Sequence, residues 1–577
     1  MSERVPSRPS IVNDVLTGLR RPRARAPRII GALTYVVGLS DLVSGLQPAL
    51  RPHLHLLSEL LPGVIEGAAT AATVVTGIFM LVLAHALRRR KRRAWRMTVA
   101  LLVISVVLHV IKLEPLALAI SLSVLVTLLA YRAEFHALGD PGTRWRAAQA
   151  LVALGVTSIG LGVVVIELAR RHVLGGHPPL TAVLQEVFAG LVGLDGPLRF
   201  DSDRMGDIVG AVLLGLGLMT LLTPTYLALR SPEPRPRLTE QDQAQMRELL
   251  RRRGDSLGYF NLRVDKSVVW SESGKAAVAY RVVSGVMLAS GDPLGDPEAW
   301  PGAIHAFLRE AEAHAWTPAV LGCSEHAGTV WCRESGLSAL EMGDEAVVDA
   351  GCFSLEGRAM RNVRQMVRRI ERAGYTTEVV RARDLSEGDR RRALADAEAW
   401  RGSETERGFS MALGRLADPA DPECIVALAR QDGLMRGMLQ FVPWGEDGMS
   451  LDIMRRDRDA EPGVNELLIA HALQAAAGLG ITRVSLNFAV FRSTLARGER
   501  LGAGPVLRGF RGMLLFASRW FQIESLYRFN AKFQPVWVPR FLLYPSARDM
   551  PRVALAALEA EAFLVWPRMH WLGEVTP

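Results

Sequence analysis

Two apolar runs, Trp95–Ile111 and Leu116–Tyr131, are parted only by Lys112, Glu114 and Pro115. Each approaches the ~20 residues that an α-helix needs to cross a bilayer core. The proline marks a tight turn between them. Four further runs share this character: Ile29–Leu46, Val64–Leu87, Ala147–Leu168 and Asp207–Leu229. They all lie in the first 230 residues, so averages over the chain (49% hydrophobic, 22% charged) conceal a division into unlike halves. A chain of 577 residues also exceeds what one core can organise.

Lysine and arginine set the orientation. RRPRARAPR (20–28), RRRKRRAWR (88–96) and Arg132, Arg144 and Arg146 stand on one side of the runs; Arg51 and Lys112 stand on the other. The loop at 169–206 is mixed and votes weakly. The positive side is expected in the cytoplasm, and an even number of crossings returns the chain there at Arg230. The N-terminal arm is polar and has no secretory cleavage site. SPEPRPR, 231–237, reads as a stiff exit linker. Glu66 and Glu167 fall close to run ends, where water is within reach, so a role inside the membrane is not expected of either.

The net charge of +9 suits an anionic partner such as nucleic acid or an acidic membrane face, although the positive-inside bias alone supplies part of it. Cysteines 323, 332, 352 and 424 follow no disulfide spacing, and a reducing compartment fits. Cys323, His326 and Cys332 lack a fourth ligand at zinc spacing, so buried thiols are expected and no metal.

From Leu238 the pattern changes to short β-rich runs alternating with amphipathic helices. SVVW, AAVAYRVV, VMLAS and AVLG form one set, with a helix near Trp300–Ala315. TTEVV, MRGMLQFVP, MSLDIM and RVSLNFAV form a second, with a helix near Val464–Gly478. Two α+β modules in series are the simple reading. A helix from Leu355 to Ala373 separates them. At 3.6 residues per turn its Arg361, Arg364, Arg368 and Arg372 share one face, with Arg358 and Arg369 flanking, and Met360, Val363, Met366, Val367 and Ile370 share the other. No acid lies on the arginine face, so it is read as an anion-binding surface rather than a self-compensated solvent face.

These stretches resemble a known family. GDPLGDPE (291–298), FSLEGRAMRNVRQMVRRIERAGY (353–375), SLDIMRRD (450–457), NELLIAHAL (465–473), RVSLNFAVFRS (483–493) and ESLYRFNAKFQPVWVPRFLLYP (524–545) look like the catalytic domain of the phosphatidylglycerol lysyltransferases, most of all the actinobacterial branch. The resemblance implies two tandem acetyltransferase-like (GNAT-like) modules joined by a basic helix. The expected plan is a basic cytoplasmic arm at 1–28, an α-helical polytopic membrane domain of about six helices at 29–230, the linker, a first module at 238–350, the connecting helix at 351–374, and a second module with its tail at 375–577. Some relatives carry a lysyl-tRNA synthetase behind this domain; this sequence stops at Pro577 without one.

The implied reaction moves an aminoacyl group, lysyl first and alanyl or another as the alternative, from aminoacyl-tRNA to a glycerol hydroxyl of phosphatidylglycerol. It would lower the membrane's negative charge and aid resistance to cationic peptides. The donor ester is already activated, so no cofactor is expected. The partners are aminoacyl-tRNA, phosphatidylglycerol, the inner membrane, and a second copy of the chain through the membrane domain. Six crossings are fewer than the full lipid-flipping form has, which leaves flipping open.

Within the motifs, Asp452 sits on an alternating run with Arg455 three residues on, and either holds the donor's α-amino group, acts as base, or forms a structural salt bridge. Glu466 opens a helix, where an acid is ordinary. Asn487 lies in an apolar strand and needs a partner, substrate or backbone. Arg528 and Lys532 stand four apart among Tyr527, Phe529, Phe533 and Trp537, fitting an anionic headgroup or a stacked base with its phosphate; cations snorkelling over a core would look similar. Lys532 and Asp452 are the catalytic candidates. Asn530, in the same motif, and Asp292, in a turn, join the substrate-binding set. Pro535 and Pro539 are expected to turn the chain into an extended tail. An acetyl-CoA transferase is the main rival, but its nearest pyrophosphate loop, Glu499 to Gly504, opens with an acid.

Overall fold

The computed structural model describes residues 26–27, 29–43, 63–111, 115–135, 137, 142–175, 177–229, 234, 236–402, 408–490 and 523–564. Most of the arm, part of the linker and the Glu499–Gly504 string lie outside these residues, as does the end of the tail. The chain divides near residues 232–233 into a helical unit and a sheet unit.

The helical unit follows the apolar runs. Its helices include Ile29–Val43, Gly63–Leu87, Arg92–Ile111, Pro115–Ala130, Gly142–Ala169 and Asp203–Leu229. Among the described residues three stretches, Arg92–Val110, Ala147–His172 and Asp203–Leu229, are long and apolar enough to cross a membrane. A further helix, Leu180–Leu191, stands in the loop expected at 169–206. Contacts between helices hold the unit in two ways. Gly38 and Gly77 bring two helices together so closely that a Cβ on Gly38 would lie 2.9 Å from the Gly77 carbonyl oxygen. Asp41 and His109 form a buried contact at 3.0 Å, with Ser105 donating to the same carboxylate. Glu167 is exposed and pairs with Arg170, as expected of a group at a helix end.

Among the described residues the sheet unit has twelve strands: β1 (Ser267–Trp270), β2 (Ala276–Val283), β3 (Val286–Ser290), β4 (Leu294–Gly295), β5 (Thr317–Cys323), β6 (Ser338–Asp349), β7 (Tyr375–Arg381), β8 (Ile425–Gln431), β9 (Leu434–Trp444), β10 (Gly448–Arg456), β11 (Arg483–Val490) and β12 (Val536–Tyr544). Their order is β1-β2-β3-β5-β12-β6-β11-β10-β9-β8-β7, with β4 against β2. The sheet therefore runs unbroken from residues of the first expected module to those of the second. β12, the segment expected as a tail, is inserted between β5 and β6 of the first module, and β6 pairs with β11 of the second.

Pro539 explains why a proline is tolerated there. β6 pairs with the whole of β12, but β5 joins only from Phe541 onward, after a register shift. The proline lies where the strand has one neighbour, so its missing N–H need not break a ladder.

The arginine helix spans Arg361–Arg372, shorter than expected. The residues before it are turns, and Arg364 Nη1 holds them by donating to the carbonyls of Leu355 and Gly357. Val363, Val367 and Ile370 are buried on its inner face. That face packs on the helix Val464–Ala476, which opens at Gly463 with φ of +116°; a Cβ there would meet the Met366 sulfur at 2.5 Å.

Candidate functional site

β10 and β11 run parallel and pair over only three positions, Gly448–Ser450 against Arg483–Ser485. Both strands then leave register. β10 bulges against β9 between Leu451 and Ile453, and β11 shifts against β6 between Ser485 and Phe488. A bulge re-aims the inserted side chain, and parting parallel strands open a crevice at their carboxyl ends. The inserted residue of β10 is Asp452. Asn487, in left-handed backbone at φ of +66°, spans the parting: its Nδ2 donates to the carbonyls of Leu451 and Met411, each at 3.0 Å.

Asp452 accepts the Leu413 N–H at 2.8 Å and the Gln440 Nε2–H at 2.7 Å. Gln440 also accepts from Ala417 N–H and donates to the Arg415 carbonyl. Residues 408–417 are thereby strapped along the crevice. The other end of this strap is held by Glu561, whose carboxylate accepts the N–H groups of Phe409 (2.7 Å) and Ser410 (2.9 Å). Under the strap Lys266 is fully buried, donating to the Phe260 carbonyl (2.9 Å) and Ser290 Oγ (2.8 Å), with Nζ 4.6 Å from the Phe409 ring centre. Burial brings its ammonium down to about 7, against the opposing pull of Asp265 and Glu561. Sequence reasoning missed the strap, Glu561 and Lys266. GFSMALGRL, 408–416, has no periodicity, and nothing local separates Lys266 from a surface lysine.

Lys532 and Glu466 meet. Nζ donates to Glu466 Oε1 at 2.7 Å, and the pair is lopsided: the lysine side chain is 42% exposed and the glutamate 11%. Lys532 follows the helix Ile523–Ala531 directly and lies 5.1 Å from the Phe529 ring centre. Asn530 is buried and ties this helix to β11 by donating to the Leu486 carbonyl at 3.3 Å. Tyr527 stacks on Trp537 at 4.7 Å, and Arg528 is exposed. The structure thus forms two groupings along β11: Asp452 with Asn487, and Lys532 with Glu466 and Asn530.

Asp292 belongs to neither. Its carboxylate accepts from the N–H and Oγ–H of Ser324, both at 2.7 Å. Burial and the nearby Asp255 push its acid up to about 7, with Arg540 opposing. Arg540 is the buried centre of this region. It forks onto Asp255 with two bonds of 2.8 Å and also binds Glu345, which accepts from Ser485 Oγ. Ser485 in turn accepts the Asn487 N–H at 3.1 Å. A polar chain therefore runs from the parted strands back to the core beside Asp292.

On the arginine helix Arg361, Arg368 and Arg372 are exposed and Arg364 is half-buried. Arg369, on the flank, pairs with Glu461 at 3.0 Å. Among the described residues no group of three or more His, Cys, Asp or Glu is placed to hold a metal ion.

The family described as Phosphatidylglycerol lysyltransferase, C-terminal, matches residues 247–544, and that described as Transmembrane region of lysyl-tRNA synthetase matches 22–226. The chain is 41% identical over 557 residues to a Lysylphosphatidylglycerol biosynthesis bifunctional protein LysX of Mycobacterium avium, covering 94% of this chain and 47% of that one. It is 42% identical to the protein of the same description from Nocardia farcinica, covering 94% and 48%. The chain spans about half the length of these curated relatives. Among solved structures, L-PGS from Bacillus licheniformis is similar in fold at 20% identity, with a TM-score of 0.50, covering 58% of this chain and 99% of that one.

Proposed function

The chain belongs to the phosphatidylglycerol lysyltransferase family, whose C-terminal domain accounts for residues 247–544, and from that premise we propose that it moves a lysyl group from lysyl-tRNA to a hydroxyl of phosphatidylglycerol. The lipid hydroxyl oxygen bonds to the ester carbonyl carbon, the carbon–oxygen bond to the ribose breaks, and the hydroxyl proton ends on the ribose oxygen. Bonds and charge balance with no further reagent. The protein's task is to align two large anions and exclude water, which is worth roughly 7–11 kcal/mol of barrier.

In this reading Asp452 holds the α-ammonium of the lysyl group, and Asn487 keeps the crevice open at a fixed width. Lys532 meets the lipid phosphate, exchanging it against Glu466, with the Tyr527–Trp537 stack and Phe529 beside the acyl chains. Arg361, Arg368 and Arg372 draw in the RNA backbone. The active half lies on the cytoplasmic side, as the arginine-rich loops suggest. The reading also keeps the two GNAT-like modules, now sharing one sheet.

The observation that carries it is the parting of β10 and β11 with Asp452 pinned at the bulge. The relatives' description as lysylphosphatidylglycerol biosynthesis proteins supports lysine as the amino acid. The test is to incubate membranes bearing the full chain with lysyl-tRNA and phosphatidylglycerol. A ninhydrin-positive lipid is expected. Its absence with every charged tRNA, together with consumption of acetyl-CoA, would establish the acetyltransferase rival instead.

A further inference from the structure

The strap, residues 408–417, forms neither helix nor strand. Such a segment keeps its place through the groups that bind its backbone, and these fall into two sets. The later residues are held from the sheet. Asn487 Nδ2 donates to the Met411 carbonyl at 3.0 Å, Arg263 Nη1 donates to the Ala412 carbonyl at 3.4 Å, and Asp452 accepts the Leu413 N–H at 2.8 Å. Gln440 takes the Arg415 carbonyl and the Ala417 N–H. Arg455, also on β10, lines a cavity of about 470 Å³ together with Gly414–Ala417 of the strap.

The earlier residues are held by Glu561. It follows the helix Met550–Ala560, lies beyond residues 247–544 of the family match, and is 5% exposed. Its carboxylate accepts the Phe409 N–H at 2.7 Å on Oε2, and the Ser410 N–H (2.9 Å) and Oγ–H (2.5 Å) on Oε1. Its own carbonyl accepts the Gly408 N–H at 3.4 Å. All three N–H groups before Met411 therefore go to this one residue. Among the described residues the hydrogen bonds of its carboxylate all go to the strap.

The two ends of the strap are packed against each other. Gly408 has φ of +122°, and a Cβ there would lie 2.4 Å from the Ala412 Cβ. Phe409 is fully buried, its ring over Lys266. Close-packed groups transmit a displacement, so a shift at 408–410 is passed to Ala412 and to its neighbour Leu413. Leu413 N–H is one of the two donors that orient Asp452, the other being Gln440 Nε2.

We propose that Glu561 is a positioning residue for the transfer site. By anchoring 408–410 it fixes the Leu413 N–H, and through it the Asp452 carboxylate, where the lysyl α-ammonium binds. This deepens the proposed function and rests on it. Glu561 touches neither substrate nor the reacting atoms, and its effect is carried by the strap. A misplacement of about 1 Å at a binding group is enough to cost much of its effect.

The test uses the full chain in detergent and compares binding of lysyl-tRNA with binding of the same tRNA uncharged. Glu561→Gln keeps the size of the side chain but has one acceptor oxygen and sets an N–H against the strap's own donors. It is expected to lower the preference for lysyl-tRNA roughly tenfold, the worth of one hydrogen bond to a charged group, and to leave binding of uncharged tRNA unchanged. In the transfer assay it raises the KM for lysyl-tRNA and not that for phosphatidylglycerol. Ser410→Ala, which removes only the hydroxyl donor, shifts the preference the same way by less, and carries the test if Glu561→Gln does not fold. Asp452→Asn loses the preference by itself, and adding Glu561→Gln to it changes nothing further. A preference unchanged in both Glu561→Gln and Ser410→Ala overturns the proposal. So does an equal loss of charged and uncharged tRNA, or an effect that adds in full to that of Asp452→Asn. If the wild type makes no lipid product but its preference for lysyl-tRNA depends on Glu561, the positioning role stands and the transferase reading falls.

Discussion

Arg540 and Lys532 lie eight positions apart, and each meets a glutamate, yet the two contacts have opposite surroundings. Arg540 and Glu345 are almost wholly buried (2% and 1% exposed), with Asp255 completing a forked ion pair. Lys532 is 42% exposed on a Glu466 that is 11% exposed. Removing water from a charge is expensive, so a buried cation must be matched by fixed acids before the fold closes. A half-exposed cation keeps water as an alternative partner and can trade its acid for a ligand. The first contact therefore ties the sheet together, and the second is the one that we propose takes part in the reaction.

The largest effect should come from breaking the buried contact. Arg540→Met strands Asp255 and Glu345 in the core and should cost about 3–5 kcal/mol of stability. Chemical denaturation of the chain in detergent reads this directly; an unchanged midpoint would put Arg540 on a par with Lys532. At the open contact the effects should reverse. Lys532→Ala should lower lipid product at least ~10²-fold, as loss of a charge-stabilising group does. Its unfolding free energy should change by less than ~1 kcal/mol. A large stability loss without loss of rate would erase the distinction.

A smaller effect sharpens the buried side. The Asp292 acid, raised to about 7 from 3.8 chiefly by burial, keeps its proton in the folded state where the unfolded chain has lost it. The folded state thus binds more protons between about pH 4 and 7, and stability falls as pH rises through that window. Asp292→Asn should flatten this slope. Parallel slopes for variant and wild type would remove Asp292 as its source. The smallest effect belongs to the exposed arginines. Arg361→Gln and Arg368→Gln should each reduce the salt dependence of RNA binding by about one unit of slope. Unaltered slopes would leave the helix as a solvated surface.

Local pattern carried much of the fold into the sequence. RVSLNFAV coincides with β11, Arg483–Val490, because its alternation is uninterrupted. The helix near Val464 and the apolar runs were legible for the same reason. β12 was not, since two prolines argue against a central strand and only the late arrival of β5 makes Pro539 harmless. The pairing of Lys532 with Glu466 joins residues 66 positions apart, and no local rule predicts it. Arg540 was visible only as one cation in an aromatic stretch; its partners Asp255, Ser256 and Glu345 come from two distant segments. In the helical unit two acids close to the ends of apolar runs are Glu66, whose side chain lies outside the described residues, and Glu167, which is exposed. Among its described residues the buried acids are Asp41, paired with a histidine 68 positions away, and Glu186, which accepts the Leu198 N–H.

We propose that transfer takes place between the parted strands around Asp452. This is tested most directly by supplying lysyl-tRNA labelled on the lysine to membranes bearing either the wild-type chain or Asp452→Ala at equal expression. Label should pass into chloroform-soluble lipid with the wild type and stay in RNA with the variant. Label entering lipid at the wild-type rate in the variant would contradict the account.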